Sequence, residues 1–325
     1  MEYKKFGNSG LRVSAMGLGC NPFGNEVNPE TAEAIVNKAI DAGITYFDTA
    51  DTYFAGRSED YLGRALVGKR HNVIIATKFG NRSGPGPNDT GGSRQHIFES
   101  VEGSLRRLQT DYIDVYQMHS ADRETPIEET MEALNDLVRA GKVRYIGCSN
   151  FYDWEVVEAQ WVAKSRNFTQ FSSAQDFYNL LYRDVEKRFV PMAQKYGLAM
   201  IPYFPLAGAL LSGAYKRGVA PEAGSRGAIR PTFKTWDSER NWDVQENLSK
   251  FAQDRGWTLP QMSIAWMISR PQMATVIAGA DQPWHVEENV KAVDLKLSAE
   301  DLAELDRITL VEEDRTIAPI YRARG

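Results

Sequence analysis

Hydrophobic positions along the chain fall into short, nearly unbroken runs that alternate with longer segments of mixed polarity. Runs such as ITYFD, NVIIATK, YIDVYQM and VRYIGCS are rich in valine, isoleucine and tyrosine and mostly lack polar alternation. This pattern is typical of parallel strands that are buried on both faces. Eight such runs occur, and each is followed by a segment with helical spacing of its apolar positions. The alternation predicts right-handed β-α-β units and a parallel sheet.

Eight strand-helix units fit the usual length of one closed barrel better than they fit two separate domains. We therefore predict an α/β protein, a single (β/α)8 TIM barrel that forms one domain over residues 1–325. No low-complexity linker divides the chain. An N-terminal β-hairpin is predicted from residues 1–7 and 11–14, which flank an Asn-Ser-Gly turn.

The boundaries of the helices are indicated by residues that commonly stop them, such as Gly141 and Gly197. Predicted helices cover residues 29–42, 58–67, 94–108, 127–140, 152–165 and 185–196. Two long stretches at 80–92 and 213–242, rich in glycine, proline or turn residues, interrupt the alternation of strands and helices. We expect them to be long loops after the third and seventh strands. Those loops lie on the C-terminal face of a barrel, where active sites form.

Composition and charge exclude several classes of partner. A net charge of −5 argues against a nucleic acid or an anionic membrane surface as the partner. The two cysteines, Cys20 and Cys148, are far apart in the sequence, which suits a reducing compartment. No apolar run approaches about 18 residues, and the N-terminus lacks the apolar stretch of a signal peptide. These features predict a cytoplasmic protein and leave its oligomeric state open.

Polar side chains stand where several of the predicted strands end. They are Asp48, Lys78, His119, Ser149, Asn150, Gln175 and, just after its strand, Tyr203. Because the carboxyl ends of barrel strands point to one mouth, we expect these side chains to converge although they are distant in sequence. Each also has an ordinary structural explanation, such as a turn or cap for Asp48 or a solvated charge for Lys78.

Four of the candidates share one chemistry, the delivery of a proton to a carbonyl oxygen. Tyr53 follows Asp48 in the loop, and its phenol would donate the proton as negative charge develops. An unpaired ammonium in a buried strand is costly, so Lys78 requires a counter-ion, which Asp48 on the neighbouring strand would provide. His119 would donate a hydrogen bond to the same oxygen. None of these groups supplies two electrons, so a cofactor is required.

The motifs GITYFDTADTY, DYIDVYQMH and GKVRYIGCSN resemble those of the aldo-keto reductase family, in the same order. By this resemblance the catalytic residues are Asp48, Tyr53, Lys78 and His119. The resemblance implies a (β/α)8 barrel that binds a nicotinamide dinucleotide without a metal and acts on a small-molecule carbonyl or alcohol. Another possibility is a regulatory barrel that senses the cofactor with little turnover, like the channel β-subunits that resemble this family.

The resemblance also implies which residues hold the cofactor: Ser149, Asn150 and Gln175 at the carboxamide, and Tyr203 stacked on the nicotinamide ring. The full implied set is Cys20, Asn21, Asp48, Ser149, Asn150, Gln175, Tyr203, Phe204, Pro205, Leu206, Gly208, Leu210, Ser212, Gly279, Ala280, Asp281, Gln282, His285, Glu288 and Asn289.

The choice between NADP and NAD depends on two positions in that set. Relatives carry Ser or Thr at Asp281 and Lys or Arg at Gln282, where those residues hold the 2′-phosphate of NADP. The family therefore favours NADP(H), while these two substitutions predict that NAD(H) is unusually well accepted. His285, if charged, would instead favour the phosphate.

Aromatic residues near the predicted mouth are the candidates for a substrate pocket. They are Phe23, Phe54, Phe79, Phe151, Trp236 and Trp242. Such residues pack in a core as often as they bind a ligand. Arg226, Arg230 and Arg240 in the second long loop are candidates for contact with an anionic or sugar-like substrate, and the tail APIYRARG is a candidate to fold over the pocket.

Overall fold

The computed structural model describes residues 1–223, 225–229 and 231–310. Its strands are β1 Tyr3–Lys5, β2 Arg12–Ser14, β3 Met16–Gly19, β4 Tyr46–Asp48, β5 Ile74–Phe79, β6 Ile113–Met118, β7 Val143–Ser149, β8 Ser173–Gln175, β9 Ala199–Met200 and β10 Val276–Gly279. Strands β1 and β2 pair antiparallel, so the predicted N-terminal hairpin is confirmed. The remaining strands form one parallel sheet of eight in the order β10-β3-β4-β5-β6-β7-β8-β9.

Hydrogen bonds beyond the regular ladders join the two edges of this sheet. Met200 bridges Met273 in parallel orientation, and the amide of Ala274 donates to the carbonyl of Met200 at 3.0 Å. The amide of Ile277 donates to the carbonyl of Pro202 at 3.3 Å. The sheet therefore closes on itself, which leaves no exposed edge. The predicted (β/α)8 barrel is confirmed.

Helices follow the barrel strands and cover their outer faces. They are α1 Pro29–Asp41, α2 Arg57–Ala65, α3 Arg94–Leu108, α4 Ile127–Arg139, α5 Asp153–Arg166, α6 Phe189–Tyr196, α7 Arg226–Ile229, α8 Pro231–Trp236, α9 Glu239–Gln253, α10 Leu259–Ser269, α11 Pro283–Val290 and α12 Ala299–Thr309. No helix in the described part of the chain is both long enough and apolar enough to span a membrane.

The N-terminal end of the barrel is filled by apolar side chains. Phe6 and Val13 from the hairpin pack with Tyr46 and Val115 of the barrel strands and with Ile201, which directly follows β9, and all five are fully buried. The hairpin thus seals this end, and the polar strand ends lie at the opposite, C-terminal face. That arrangement places the candidate residues where barrel enzymes have their sites.

Two of the predicted element boundaries are wrong. The helix predicted over 185–196 is a 3-10 turn at Asp184–Glu186 followed by α6, which begins at Phe189. Pro191 lacks an amide hydrogen and is tolerated in the first turn of a helix, which fits the start of α6 two residues before it.

The second long loop is shorter than predicted, because residues 213–242 contain α7, α8 and the start of α9. Ser238 caps α9 by accepting a hydrogen bond from the amide of Asn241, so Trp242 lies in a helix. That the whole span 1–325 forms one domain stays a prediction, since residues 311–325 lie outside the described part.

Candidate active site

Lys78 and Asp48 lie side by side at the C-terminal ends of the neighbouring strands β5 and β4. Lys78 is 0% exposed and Asp48 is 4% exposed. The Nζ of Lys78 donates to Asp48 Oδ1 at 2.5 Å, to the carbonyl of Thr49 at 2.8 Å and to the hydroxyl of Tyr53 at 3.4 Å. Each of the three ammonium protons therefore has an acceptor, which a buried cation requires.

The second carboxylate oxygen of Asp48 is also occupied. Gln175 Nε2 donates to Asp48 Oδ2 at 2.9 Å, and Gln117 Nε2 does so at 3.4 Å. Sequence reasoning did not single out Gln117, because it lies within the apolar run of β6. The available signal was its position opposite Lys78, since an amide buried in a strand needs a polar partner.

The pKa values of this group favour a charged lysine beside a neutral phenol. Burial lowers the pKa of Lys78, but the attraction of Asp48 and the contact with Tyr53 outweigh it and leave the pKa above its ordinary value. Burial raises the pKa of Tyr53, and the nearby Lys78 cation reduces that rise without cancelling it. At neutral pH Tyr53 therefore holds its proton and Lys78 holds its charge.

His119 follows β6 and faces Tyr53 across the mouth of the barrel. The two rings meet edge to face, with centroids 5.7 Å apart and planes at 76°. The amide of His119 donates to the carbonyl of Phe79 at 2.7 Å, and its carbonyl accepts from Asn150 Nδ2 at 2.8 Å. The structure thus brings together all four residues expected to be catalytic.

A cavity of about 500 Å³ opens beside Asp48, Tyr53 and His119 and continues to the loop after β10. Most of the residues implied for the cofactor line it: Asn21, Asp48, Ser149, Asn150, Gln175, Tyr203, Phe204, Pro205, Leu206, Gly208, Ser212, Gly279, Asp281, His285 and Asn289. Cys20, Leu210, Ala280, Gln282 and Glu288 are not among the lining residues, and the first three are buried in the core. The lining within the described residues contains no lysine or arginine.

The loop after β9 forms one wall of the cavity and has an unusual backbone. Phe204, Ala207 and Ala209 have φ angles of 54°, 48° and 89°, which non-glycine residues adopt at a cost of about 1–3 kcal/mol. Asn179, fully buried, donates to the carbonyl of Phe204 at 3.0 Å and so holds the start of the loop. Strain of this kind persists where the surrounding structure fixes the backbone.

At the far end of the cavity a histidine and an aspartate side chain meet on one turn of chain. His285 Nδ1 contacts Asp281 Oδ1, with each side chain about one third exposed, at 32% and 35%. The ring of Trp284 lies against that of His285, with centroids 3.8 Å apart. His285 is therefore paired with Asp281 here.

Most of the aromatic residues expected around the substrate pack inside the protein. Phe79 stacks on Tyr116, Trp236 stacks on Phe177, and Phe151 meets Phe171 edge to face. Trp242 Nε1 donates to Asp237 at 2.7 Å. Phe23 is buried, Phe54 is half-buried, and none of the six lines the cavity that the described residues form. Their contact with a substrate stays a prediction.

The arginine candidates give little support for a charged substrate. Arg240 donates to the neighbouring Asn241 side chain at 3.2 Å. Arg230, the side chain of Arg226 and the tail APIYRARG lie outside what the structure describes.

Within the described ranges, no group of three or more histidine, cysteine or acidic side chains is arranged to hold a metal ion.

A second acidic group, which sequence reasoning did not identify, flanks the loop of Tyr53. Asp51 is 6% exposed, and Glu59 is fully buried where Arg107 Nε donates to its Oε2 at 2.7 Å. Burial, with the added repulsion of Glu59, raises the pKa of Asp51 to about 7, against the attraction of Arg107. Arg107 thus pairs with Glu59 rather than with Asp51, and Asp51 binds a proton more readily than an ordinary aspartate.

Comparison with known proteins places this geometry in a family. The model of the Aldo/keto reductase family matches residues 15–309. The chain is 38% identical to an uncharacterized oxidoreductase of Bacillus subtilis over 320 residues, covering 95% of this chain and 96% of that protein. It is 34% identical over 319 residues to the L-glyceraldehyde 3-phosphate reductase of Escherichia coli K12, with 94% and 92% covered.

A third relative has a different kind of name, a probable voltage-gated potassium channel subunit beta of rice. It is 38% identical over 304 residues, covering 91% of this chain and 92% of that protein. The family model and the relatives named as reductases support an oxidoreductase that reduces carbonyl groups. With a match over almost its whole length, the chain belongs to the aldo/keto reductase family.

Proposed function

We propose that this protein interconverts a carbonyl compound and its alcohol with a nicotinamide dinucleotide, and that Tyr53 is the general acid and base. The observation that carries the proposal is the position of the Tyr53 hydroxyl, at the cavity wall and 3.4 Å from the buried Lys78 ammonium. A phenol that keeps its proton at neutral pH and lies beside a cation is suited to protonate an oxygen as negative charge develops.

Each of the four residues has a distinct part in the proton transfer. The Tyr53 hydroxyl gives its proton to the carbonyl oxygen, and Lys78 stabilises the phenolate that remains. Asp48 keeps Lys78 charged and in place through the 2.5 Å contact. His119, across the mouth from Tyr53, donates a hydrogen bond to the same oxygen. A bound nicotinamide supplies or accepts the hydride.

The lining of the cavity suits a nicotinamide dinucleotide. Ser149 and Gln175 line it with a hydroxyl and an amide group, and a carboxamide needs both donors and acceptors. Gln175 Nε2 is engaged with Asp48, so its carbonyl oxygen would accept from the carboxamide NH₂. Tyr203 would cover the ring, and the strained loop 204–209 would bring peptide N–H groups toward the diphosphate.

For the choice of cofactor, we propose that NADP(H) and NAD(H) are both accepted. The cavity offers no lysine or arginine from the described residues to a 2′-phosphate, and Asp281 presents a like charge. A carboxylate at this place could instead accept hydrogen bonds from a ribose 2′-hydroxyl.

A second candidate function is a regulatory barrel that binds the cofactor and turns over little. The name of the rice relative, a potassium channel subunit beta, favours it. Both functions would keep the four catalytic residues, so turnover separates them. The test is to follow NADPH and NADH absorbance with a panel of aldehydes, ketones and phosphorylated sugars. Multiple turnovers with one of them support the enzyme, whereas tight binding with less than one turnover per site supports the sensor.

A further inference from the structure

We propose that the hydroxyl of Tyr203 positions the catalytic His119, acting through the side-chain amide of Asn150. The inference rests on the proposed function for the role of His119, and it assigns to Tyr203 a part separate from stacking on the nicotinamide ring. Three strand ends of the barrel, after β6, β7 and β9, are joined by this chain of side chains.

The amide of Asn150 is bonded at both ends within the protein. Its Oδ1 accepts a hydrogen bond from the Tyr203 hydroxyl at 2.6 Å. Its Nδ2 donates to the carbonyl of His119 at 2.8 Å and to Ser149 Oγ at 3.0 Å. The orientation of the amide is fixed by this set, because the carbonyl of His119 can only accept. Both Nδ2 protons thus have acceptors within the protein.

The backbone of Asn150 holds the amide in this direction. Its φ is 56°, a left-handed conformation in which asparagine is enriched among non-glycine residues. The backbone N–H of Asn150 donates to the carbonyl of Gln175 at 3.1 Å. Tyr203 is placed from the other side, since its amide donates to the carbonyl of Asp176 at 3.2 Å. The two partners therefore approach each other from separately fixed backbones.

His119 needs such support because it lies just past the last residue of β6, Met118. Its amide is bonded to Phe79, and its carbonyl is bonded to Asn150. The bond from Asn150 thus holds the second of the two peptide groups that flank the Cα of His119. A misplacement of a catalytic group by about 1 Å costs on the order of 100-fold in rate. Loss of the Tyr203 hydroxyl would remove the bond to Asn150 Oδ1 and so loosen the hold of the Asn150 side chain on the carbonyl of His119.

The test compares Tyr203→Phe, Asn150→Gly and the double variant, with Tyr196→Phe as the control. Phenylalanine keeps the ring, and glycine keeps the left-handed backbone that Asn150 adopts. Tyr196 has a hydroxyl that accepts from Trp161 Nε1 at 3.1 Å on the surface, so its loss removes a comparable bond away from the cavity.

We expect kcat to fall about 10- to 100-fold in Tyr203→Phe, while the dissociation constant for NADPH, from quenching of tryptophan fluorescence, changes less than about threefold because the ring remains. The double variant should be no slower than Asn150→Gly, since Tyr203 acts through Asn150. Independent, multiplying losses in kcat, or a Tyr203→Phe enzyme as fast as the native one, would overturn the proposal.

A second measurement needs no turnover. In the protein without cofactor, the imidazole resonances of His119 should shift or broaden in Tyr203→Phe and stay in place in Tyr196→Phe. The chain has four histidines, so the His119 signals are assignable with a His119→Gln variant. Unchanged His119 resonances in Tyr203→Phe would contradict the proposal, whether or not the protein reduces carbonyls. If the native protein lacks turnover but these resonances move, the proposed function fails and the positioning role stands.

Discussion

Lys78 Nζ lies 2.5 Å from Asp48 Oδ1, and Lys78 is 0% exposed. A charge in such a place depends on its partner, because the interior cannot replace the lost hydration. The contact between the two side chains therefore has two consequences. It makes a buried ammonium tolerable, and it places that ammonium beside the Tyr53 hydroxyl.

Removal of the carboxylate alone should destabilise the fold. In Asp48→Asn, the ammonium of Lys78 keeps its charge without a counter-ion, and we expect a loss of about 3–5 kcal/mol in the free energy of unfolding. Urea denaturation measures it. The double variant Asp48→Asn/Lys78→Met removes both charges and should recover most of the stability without any activity. An Asp48→Asn protein as stable as the native one would mean that Lys78 is solvated.

Asp51 should make stability depend on pH between about 4 and 7. Its pKa is raised from 3.8 to about 7 in the folded protein, so folding favours the protonated form. The stability that Asp51 contributes is fully present below its pKa in the unfolded chain and is lost as the pH rises through its pKa in the folded protein. We therefore expect Asp51→Asn to gain stability relative to the native protein as pH rises from 4 to 8. The gain is roughly 1.4 kcal/mol for each pH unit that separates the folded and unfolded pKa values.

Thermal or urea unfolding of both proteins at several pH values checks this. Asp111→Asn is a matched control, since Asp111 is an exposed aspartate before β6. A difference between Asp51→Asn and native protein that stays constant across this range would show that Asp51 is ionised throughout.

Ala209 should be a site where glycine stabilises the protein. Its φ of 89° is strained for alanine and ordinary for glycine. We expect Ala209→Gly to gain about 1 kcal/mol in the free energy of unfolding. The same change at Ala303, an exposed position within α12, should lose roughly 0.5–1 kcal/mol, because helical alanine is favoured over glycine. Equal losses at both positions would show that Ala209 carries no strain.

Asp281 should weaken the affinity for NADPH more than the affinity for NADH. Asp281→Asn removes a like charge from the end of the cavity and frees His285 from its partner. We expect the dissociation constant for NADPH, divided by that for NADH, to fall about 3- to 10-fold, since an exposed charge pair contributes on the order of 1 kcal/mol. Asp111→Asn, with the same change in net charge, should leave the ratio in place. A native preference for NADPH above about 100-fold that Asp281→Asn does not alter would contradict this expectation.

Some of these features could be predicted from the sequence, because they follow from a physical necessity. A lysine that ends a buried strand needs a counter-ion, and Asp48 on the neighbouring strand is the residue that contacts it. The barrel follows in the same way from eight apolar runs, each with a helix behind it. Trp242 lies in a helix rather than in the predicted loop, because the capping Ser238 stands among turn residues that conceal the helix start.

Other features depend on backbone angles that no local pattern indicates. The bond between Tyr203 and Asn150 requires the left-handed φ of Asn150, which turns its amide toward His119. The contact of His285 with Asp281 uses an i, i+4 spacing that the sequence contains, yet the resemblance to the family pointed to a phosphate as the partner of His285. Gln117 is hidden in an apolar run, and its role becomes visible when Asp48 is seen to accept from it.

The most direct test of proton delivery by Tyr53 is the turnover of Tyr53→Phe with an aldehyde that the native protein reduces. The phenol gives its proton to the substrate oxygen, so its removal should lower kcat by about 10²–10⁴-fold. The dissociation constant for the dinucleotide should change little, because the hydroxyl faces the carbonyl. A Tyr53→Phe protein that keeps most of its turnover would show that another group delivers the proton, and the central claim would be wrong.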